Sequence, residues 1–345
     1  EAFPGPGGAV AVVRDGEVLV RHAWGFANAE LRIPFTPKSL FRMCSITKQF
    51  TCATLLDQFP DPADLDGAVR AQLPLLPGPV PGTAQLAHNQ SGLRDYWAVA
   101  MLLGAPAESS FGDHESERVI RASRSLQFAP GTRFSYSNNN FRILSNALES
   151  RTGRSFAELL RTRIFDRAGM ETAFLAADTR AMPDGSEGYE GTVAAGFRPA
   201  ENRILWTGDA GLGASLDDMI AWERHIDATR DQPDSLYGRI SGPVAFADGA
   251  PATYGFGLSR GIDRGRAFTG HGGGLAMEFA YHGISESIDA FSPSNAPAHW
   301  NAPHIRLLPA PDVYRGPFGP QEEHVGERYA ALADPLIADL QEKGY

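Results

Sequence analysis

The sequence predicts an α+β fold, an α/β sandwich with an antiparallel sheet flanked by helices, because strand patterns lie early and late in the chain and helical patterns lie between them. Residues 8–28 form the clearest strand pair, since apolar and alternating runs flank the tight-turn pair Asp15-Gly16. A short hairpin joins antiparallel neighbours, so it sets the expected direction of the sheet. Two later strands are predicted over residues 254–258 and 266–270.

Apolar residues at helical spacing predict five helices between these strands, over residues 45–59, 116–125, 141–152, 156–168 and 216–229. Gly153 is expected to cap the C-terminus of the third helix, and Ser215 or Asp217 to lie near the N-terminus of the last. Stretches rich in proline or carrying a turn pair are expected to be connectors, and they cover residues 60–66, 74–81 and 130–131.

Composition narrows the class of function. The 345 residues include 31 Lys and Arg against 41 Asp and Glu, and the net charge of −10 argues against a nucleic-acid partner bound by general phosphate attraction. No apolar run approaches about 18 residues, so no membrane-spanning helix is expected. The two cysteines, Cys44 and Cys52, are too few for a disulfide framework or a four-cysteine metal site and are expected to be buried thiols.

The sharpest chemical signal is Ser45-Ile46-Thr47-Lys48 at the start of a predicted helix. Residues three apart lie on one helical face, so the Lys48 amine can reach the Ser45 hydroxyl. A serine becomes an effective nucleophile when a base takes its proton, and a desolvated lysine can be neutral enough to do so. The spacing alone also arises by chance, so this motif needs the support of others.

A second motif, Tyr136-Ser137-Asn138, precedes the helix predicted over residues 141–152. A tyrosine near a cationic lysine can relay a proton, and an asparagine amide can orient a carbonyl group. The alternative interpretation is a buried tyrosine followed by an asparagine in a turn.

A third motif, His271-Gly272-Gly273-Gly274, follows a predicted strand. Glycines let a substrate approach the backbone closely, and a backbone N–H here could form an oxyanion hole together with that of Ser45. His271 would add a polar or cationic group beside it. The alternative interpretation is a glycine hinge with a histidine on the surface.

The order and spacing of the three motifs resemble those of the penicillin-recognising serine hydrolases, the superfamily of class C β-lactamases and DD-peptidases, whose pattern is S-x-x-K, then Y-x-N, then K-T-G or H-x-G. Supporting matches lie at residues 88–93, 128–131, 169–170 and 254–257. Residues 5–274 are most similar to the D-stereospecific aminopeptidase branch, which has H-x-G as its third motif. The resemblance implies a β-lactamase/DD-peptidase-like domain over residues 1–274, with a helical region at about 60–200.

The resemblance also implies catalytic roles. Ser45 would be the acylated nucleophile, Lys48 and Tyr136 would share general-base and general-acid work, and His271 would assist at the third motif. The reaction would be acyl transfer from short peptides or amides with a small N-terminal D-residue such as D-alanine. No metal or organic cofactor is implied, and neither a nucleic acid nor a membrane is expected as a partner. A homodimer and a bacterial cytoplasmic location are compatible with the chain, which begins at Glu1 without an apolar signal region.

Substrate-binding roles follow from the same resemblance. Asn138 would position the substrate carbonyl region, and Gly272, Gly273 and Gly274 would line the site. The N–H groups of Ser45 and Gly274 would bind the oxyanion.

Other readings stay open on the sequence alone. One is a β-lactamase, esterase or DD-peptidase of the same superfamily, against which His271 in place of lysine counts. Another, from a different class, is an inactive chimeric or ligand-binding protein. His88 and Arg94 are interpreted as structural or rim residues, and Asp209 as a residue that helps to hold the site.

The chain changes character after Gly274. Residues 275–345 resemble an internal fragment of class III aminotransferases that use pyridoxal phosphate, with Tyr281 in the position of the aromatic residue that stacks on that cofactor. The fragment cannot work as an aminotransferase, because its one lysine, Lys343, lies at its far end. We therefore expect a chimeric or rearranged chain whose sheet is incomplete at the C-terminus unless the tail supplies a strand near residues 275–281. A proline-rich stretch at 293–320 and an amphipathic helix at 327–342 are predicted beyond it.

Overall fold

The computed structural model describes residues 6–102, 113–175, 182–192, 196–200, 205–263, 266–275, 278–283 and 335. The chain divides into two compact units, Glu1–Ala290 and Phe291–Tyr345, and only Pro335 of the second is among the described residues. The architecture below is that of the first unit.

The strands of this unit, in chain order, are β1 (Gly7–Arg14), β2 (Glu17–Asn28), β3 (Ile33–Pro34), β4 (Leu40–Arg42), β5 (Phe174–Leu175), β6 (Tyr189–Thr192), β7 (Gly196–Pro199), β8 (Leu212–Ser215), β9 (Val244–Ala245), β10 (Pro251–Ala252), β11 (Tyr254–Gly255), β12 (Leu258–Asp263), β13 (Arg266–Leu275) and β14 (Glu278–Gly283). The helices are α1 (Thr47–Gln58), α2 (Asp66–Ala71), α3 (Thr83–Ala87), α4 (Tyr96–Leu102), α5 (Asp113–Arg121), α6 (Asn138–Thr152), α7 (Phe156–Leu160), α8 (Asp166–Ala168), α9 (Leu216–Asp227) and α10 (Leu236–Ser241).

The strands form antiparallel sheets, as the opening hairpin predicted. The larger ones have the strand orders β1-β2-β3, β4-β8-β5 and β11-β12-β13-β14, and every pairing between described strands is antiparallel. The turn between β1 and β2 has positive φ at both Asp15 (51°) and Gly16 (75°), the backbone of a two-residue hairpin turn whose twist suits its strands. The predicted α+β class is confirmed.

Helix α1 is the centre of the core. Every residue from Thr47 to Leu56 is buried, although several are polar. Two of these polar side chains bond to other parts of the chain: the Thr51 hydroxyl donates to the Gly208 carbonyl at 2.6 Å, and the Gln49 amide oxygen accepts from the Trp222 indole at 3.1 Å. The Gln49 amide nitrogen is buried without a partner among the described residues. Buried polar groups cost little when they are hydrogen-bonded, so this helix can carry chemistry inside the core.

Aromatic packing joins α1 to its neighbours. The Phe50 ring lies 4.9 Å from the Trp222 ring on α9 and 6.2 Å from the Phe165 ring. Phe165 ends a π-helical turn, Arg161–Phe165, that links α7 and α8 in one continuous helix. The helix predicted over residues 156–168 is therefore confirmed, with one wide turn inside it. The predicted cap at Gly153 is also confirmed, since this residue follows α6 with φ of 68°.

Residues 60–66 are not the loop that their prolines suggested. A 3₁₀ turn spans Pro62–Leu65 and α2 begins at Asp66. The Asp61 carboxylate accepts the Ala63 N–H at 2.9 Å, and Pro62 occupies the first position of the turn, where its missing N–H costs nothing. The pair Asp61-Pro62 therefore marks the start of a helical segment rather than a break in one.

Residues 254–258 are not one strand. β11 ends at Gly255 and β12 begins at Leu258, because Phe256 (φ 47°) and Gly257 (φ 73°) turn the chain back on itself. A β-carbon added at Gly257 would lie 2.4 Å from the carbonyl carbon of Lys48 and 2.5 Å from its oxygen. This hairpin therefore presses directly on the backbone of α1.

The sheet continues past the predicted end of its strand. β13 extends through the glycine run to Leu275, and β14 pairs with it in register from Gly270–Gly283 to Leu275–Glu278. The segment after Gly274 therefore supplies a strand, which was one of the two outcomes expected from the sequence; the other was a sheet incomplete at the C-terminus. Among the described strands, the β1-β2-β3 sheet shares no ladder with the β11–β14 sheet. The features predicted at 293–320 and 327–342 lie outside the described residues, as does any side-chain contact of Tyr281.

The described helices include none whose length and hydropathy would let it cross a membrane. The thiols of Cys44 and Cys52 are buried and form no disulfide, as predicted.

The contact of Gly257 with α1 predicts that Gly257→Ala destabilises the fold more than Gly249→Ala does. Both glycines have positive φ (73° and 86°), so both variants carry the same backbone strain, but nothing lies within 4 Å of a β-carbon at Gly249. The clash with α1 should lower the free energy of unfolding of Gly257→Ala by about 2 kcal/mol more than that of Gly249→Ala, as overpacking of a core does. Urea unfolding of the two variants measures the difference, and equal losses would contradict the proposed contact.

Candidate active site

Ser45 lies on a 3₁₀ turn, Cys44–Ile46, at the entrance to α1. The turn is held from both sides, because the Met43 N–H donates to the Leu212 carbonyl at 2.8 Å and the Cys44 thiol donates to the Arg42 carbonyl at 3.3 Å. Cys44 has φ of 49°, a left-handed conformation that is uncommon for a residue with a β-carbon and that clusters at functional sites. The backbone immediately before Ser45 is thus strained.

The Lys48 amine has three acceptors drawn from three parts of the chain. Its Nζ donates to Ser45 Oγ at 2.9 Å, to Asn138 Oδ1 at 2.8 Å and to the Asp209 carbonyl at 2.7 Å. The side chain is fully buried. An ammonium group has three donors, so this environment uses all of them. The predicted contact of Lys48 with Ser45 is present.

Burial lowers the pKa of Lys48 from 10.5 to about 8. Asp209 and Asp95 oppose this shift because their carboxylates favour the ammonium form. With this pKa, both protonation states of Lys48 are populated near neutral pH. The charged amine can donate to its three acceptors, and the neutral amine can take a proton.

The second motif brings Tyr136 and Asn138 to the same amine. Lys48 Nζ lies 4.9 Å from the centre of the Tyr136 ring, and Asn138, the first residue of α6, accepts from it. The Tyr136 ring is partly exposed (38%), yet its hydroxyl end is enclosed, and burial there raises the pKa of the phenol well above its usual value. A hydrogen bond with Ser45 opposes the rise. Tyr136 is therefore a protonated phenol beside Ser45.

Two carboxylates support this motif from behind. Asp95 caps α4 by accepting the Trp97 N–H at 2.9 Å and also accepts the Asn138 N–H, which orients the start of α6. Burial raises the pKa of the Asp95 carboxyl. The fully buried Asp209 accepts from the Tyr96 hydroxyl and, at 3.0 Å, from the Thr207 N–H, so the loop whose carbonyl meets Lys48 is pinned.

The third motif closes the site from the sheet. β13 packs against the turn that carries Ser45, and the His271 ring centre lies 6.0 Å from that of Tyr136. His271 is buried, and its pKa falls to about 3, mainly through burial and also through the charge of Lys48. A hydrogen bond to the Gly272 carbonyl opposes this shift. The histidine is therefore neutral at physiological pH, not the cationic group that one sequence interpretation allowed.

Gly272, Gly273 and Gly274 lie on β13 opposite Tyr281, Ala280 and Phe279 of β14. They are extended strand residues rather than a hinge. Their strand packs against the turn that carries Ser45. The assignment of the Ser45 and Gly274 N–H groups to an oxyanion hole stays a prediction.

His88 and Arg94, interpreted from the sequence as structural or rim residues, have partners outside the catalytic group. His88 packs edge-on against Phe256 at 4.6 Å, and burial lowers its pKa to about 4. Arg94 is exposed, and its guanidinium donates to the Ser125 carbonyl at 2.9 Å. Both positions fit their interpretation as structural or rim residues.

Three contributors were missed or undervalued. Tyr254 counted only as part of a supporting segment, yet its hydroxyl lies 3.0 Å from His271 Nε2. Asp95 precedes a helix, and that position was a readable capping signal. Tyr96 gave no signal, because its pairing with Asp209 spans 113 residues of sequence. Within the described residues, no group of three His, Cys, Asp or Glu side chains is placed to hold a metal ion.

Related proteins match most of the chain. The Beta-lactamase family profile matches residues 1–284. A D-aminopeptidase of Gluconobacter oxydans is 70% identical over 273 residues, and a D-aminopeptidase of Brucella canis is 52% identical over 273 residues. Each alignment covers 79% of this chain and 52% of the relative, so the chain spans about half the length of these curated relatives.

Solved structures share the fold at low sequence identity. The octameric penicillin-binding protein homologue from Pyrococcus abyssi has a TM-score of 0.64 at 22% identity, covering 81% of this chain and 66% of that one. The D-amino acid amidase from Ochrobactrum anthropi has a TM-score of 0.62 at 21% identity, covering 78% and 80%. The solved structures show the fold alone, whereas the family match over residues 1–284 shows that the chain belongs to the Beta-lactamase family.

Proposed function

We propose that this chain carries the hydrolase portion of a D-aminopeptidase, which forms an acyl-enzyme at Ser45 and releases small N-terminal D-amino acids such as D-alanine from peptides and amides. The observation that carries the proposal is the 2.9 Å contact between Ser45 Oγ and the buried Lys48 amine. The 70% identity to a protein named D-aminopeptidase supports this choice of substrate class.

The opposite pKa shifts of Lys48 and Tyr136 support different roles for the two residues. A base whose pKa lies near ambient pH takes the Ser45 proton, whereas the phenol, whose pKa is raised, keeps its own and can give it to a leaving group. Lys48 is therefore the proposed general base and Tyr136 the proposed donor to the departing amine.

The proposed reaction has two halves. Ser45 Oγ bonds to the carbonyl carbon as its proton passes to Lys48; the C–N bond then breaks, and the amine leaves with a proton delivered through Tyr136. Water then bonds to the carbonyl carbon of the ester as its proton passes to Lys48; the C–O bond to Ser45 breaks, Ser45 Oγ regains a proton from Lys48, and the free D-amino acid departs. Asn138 would hold the substrate carbonyl region, and the N–H groups of Ser45 and Gly274 would stabilise the oxyanion.

The neutral state of His271 favours amides over β-lactams. Penicillins and cephalosporins carry a carboxylate on the ring fused to the β-lactam, and a positive charge at the third motif would attract it. Since burial keeps the His271 ring uncharged, this position supplies no such attraction. The site should prefer substrates without an acidic group at that end.

Removal of the Ser45 hydroxyl tests the function. Ser45→Ala should abolish the mass adduct that a fluorophosphonate probe leaves on the protein, and it should lower hydrolysis of D-alanine p-nitroanilide by about 10³-fold or more, because the hydroxyl proposed to be acylated is gone. Intact-mass spectrometry and absorbance assays measure the two effects.

Ser241→Ala is the matched control, since this hydroxyl donates to the Tyr237 carbonyl at 2.8 Å on α10, apart from the site residues. It should keep both adduct and activity. An adduct that survives Ser45→Ala, or folded protein that forms none, would remove the mechanism. Faster turnover of nitrocefin than of D-alanine p-nitroanilide would favour a β-lactamase instead.

The proposed role of Lys48 as base requires its lowered pKa, and pH-dependent stability measures that directly. Between about pH 8 and 10.5 the unfolded lysine keeps a proton that the folded one has lost, so stability rises with pH across this window. The free energy of unfolding of the wild type, minus that of Lys48→Met, should increase by about 3 kcal/mol. Urea titrations at both ends measure it; a flat difference would mean an ordinary lysine pKa.

We further propose that residues 275–345 are a separate segment, derived from an internal fragment of a class III aminotransferase and joined to the hydrolase domain near Gly274. The curated relatives support a boundary because they align over 273 of the 345 residues. Amplification of genomic DNA across codons 265–285 should reveal a junction. A continuous native gene whose homologues keep this tail would contradict the proposal.

A further inference from the structure

Both ring nitrogens of His271 are held by the protein itself. Nδ1 lies 2.5 Å from the Gly272 carbonyl oxygen, and Nε2 lies 3.0 Å from the Tyr254 hydroxyl. A neutral imidazole has one N–H donor and one acceptor nitrogen, so these two contacts together determine which nitrogen carries the proton.

The carbonyl contact decides the assignment. The Gly272 oxygen can only accept, so Nδ1 must be the nitrogen that carries hydrogen. Nε2 then has a lone pair and needs a donor, and the Tyr254 hydroxyl is the group that reaches it. The Tyr254 O–H therefore donates to His271 Nε2.

Tyr254 is well suited to this task. It is 4% exposed and packs between aromatic rings, with ring centres 5.5 Å from Phe134 and 6.1 Å from Tyr136. Burial raises the pKa of its phenol well above the usual value, so the hydroxyl keeps its proton. Three residues later the same hairpin presses on α1 through Gly257, so the phenol is anchored to the helix that carries Lys48.

We propose that Tyr254 is a positioning residue that locks His271 in its neutral, Nδ1-protonated form, with the ring held against Tyr136. The inference rests on the proposed acyl-transfer function, which gives His271 its place in the site. It extends that function by giving His271 a fixed position and no charge. His271 would not carry protons, because both of its ring nitrogens are already hydrogen-bonded within the protein. Among the side chains that the structure describes, Tyr136 and Lys48 are the titratable groups besides Tyr254 that face the ring, and His282 is the residue paired with His271 on β14.

The tautomer is measured without any substrate. A long-range ¹H–¹⁵N correlation spectrum of the ¹⁵N-labelled full chain, with His271 assigned by its loss in His271→Ala, should show hydrogen on Nδ1 and a hydrogen-bonded acceptor at Nε2. In Tyr254→Phe the Nε2 resonance should move, since its donor is gone. Hydrogen on Nε2 in the wild type, or an unchanged spectrum in Tyr254→Phe, would overturn the proposal.

Kinetic measurements test whether Tyr254 affects turnover by acting on His271. Tyr254→Phe should lower kcat for D-alanine p-nitroanilide by about 10-fold with little change in KM, because a misoriented group costs transition-state geometry rather than binding. In a His271→Ala background the same change should have no effect beyond about twofold, since the residue through which it acts is absent. An equal loss in both backgrounds would make Tyr254 merely structural and overturn the proposal.

Tyr237→Phe is the matched control. Its hydroxyl is also buried and also bonds to β13, at 2.7 Å from Thr269 Oγ1, but it does not touch His271. It should leave both the His271 spectrum and kcat unchanged. The fluorophosphonate adduct at Ser45 distinguishes failure of the proposed function from failure of this inference. If the wild type forms no adduct, the proposed function has failed, whereas the tautomer measurement still decides the role of Tyr254.

Discussion

A lysine amine buried against a serine hydroxyl is the interaction on which the rest of this structure depends. A charged group in the core costs several kcal/mol unless its hydrogen bonds are replaced. Here the replacements come from Ser45 on the turn before α1, from Asn138 at the start of α6 and from the Asp209 carbonyl in the loop before β8. The amine therefore holds three distant segments together, and each segment is itself pinned by a further contact.

The same arrangement separates acid from base. Burial acts on both Lys48 and Tyr136, but it lowers the pKa of an amine and raises that of a phenol, because in each case the charged form is disfavoured. The same burial therefore gives Lys48 a pKa near neutrality, so that it can act as a base, and keeps Tyr136 protonated, so that it can act as a donor. His271 responds in the same sense as Lys48 and becomes uncharged, which makes the sheet side of the cleft a neutral surface.

Local signals predicted most of the elements that carry the site. The Asp15-Gly16 turn and the Gly153 cap are short-range features, because glycine adopts a left-handed backbone conformation without the strain that a β-carbon brings, and aspartate tolerates it in turns. The prediction failed at residues 60–66 and 254–258, where proline and glycine had more than one local meaning. At the latter the reversal is pressed against the α1 backbone, a long-range contact that no periodicity records.

By itself the sequence determined which chemistry was available: a hydroxyl and an amine one helical turn apart, a phenol, an imidazole and a run of glycines. Spacing places Lys48 near Ser45 because a helix has a constant geometry. Only the tertiary structure decided the protonation states, the left-handed Cys44 and the Tyr254 partner of His271. These properties depend on desolvation and on contacts between residues far apart in the chain, and such surroundings exist only once the chain has folded.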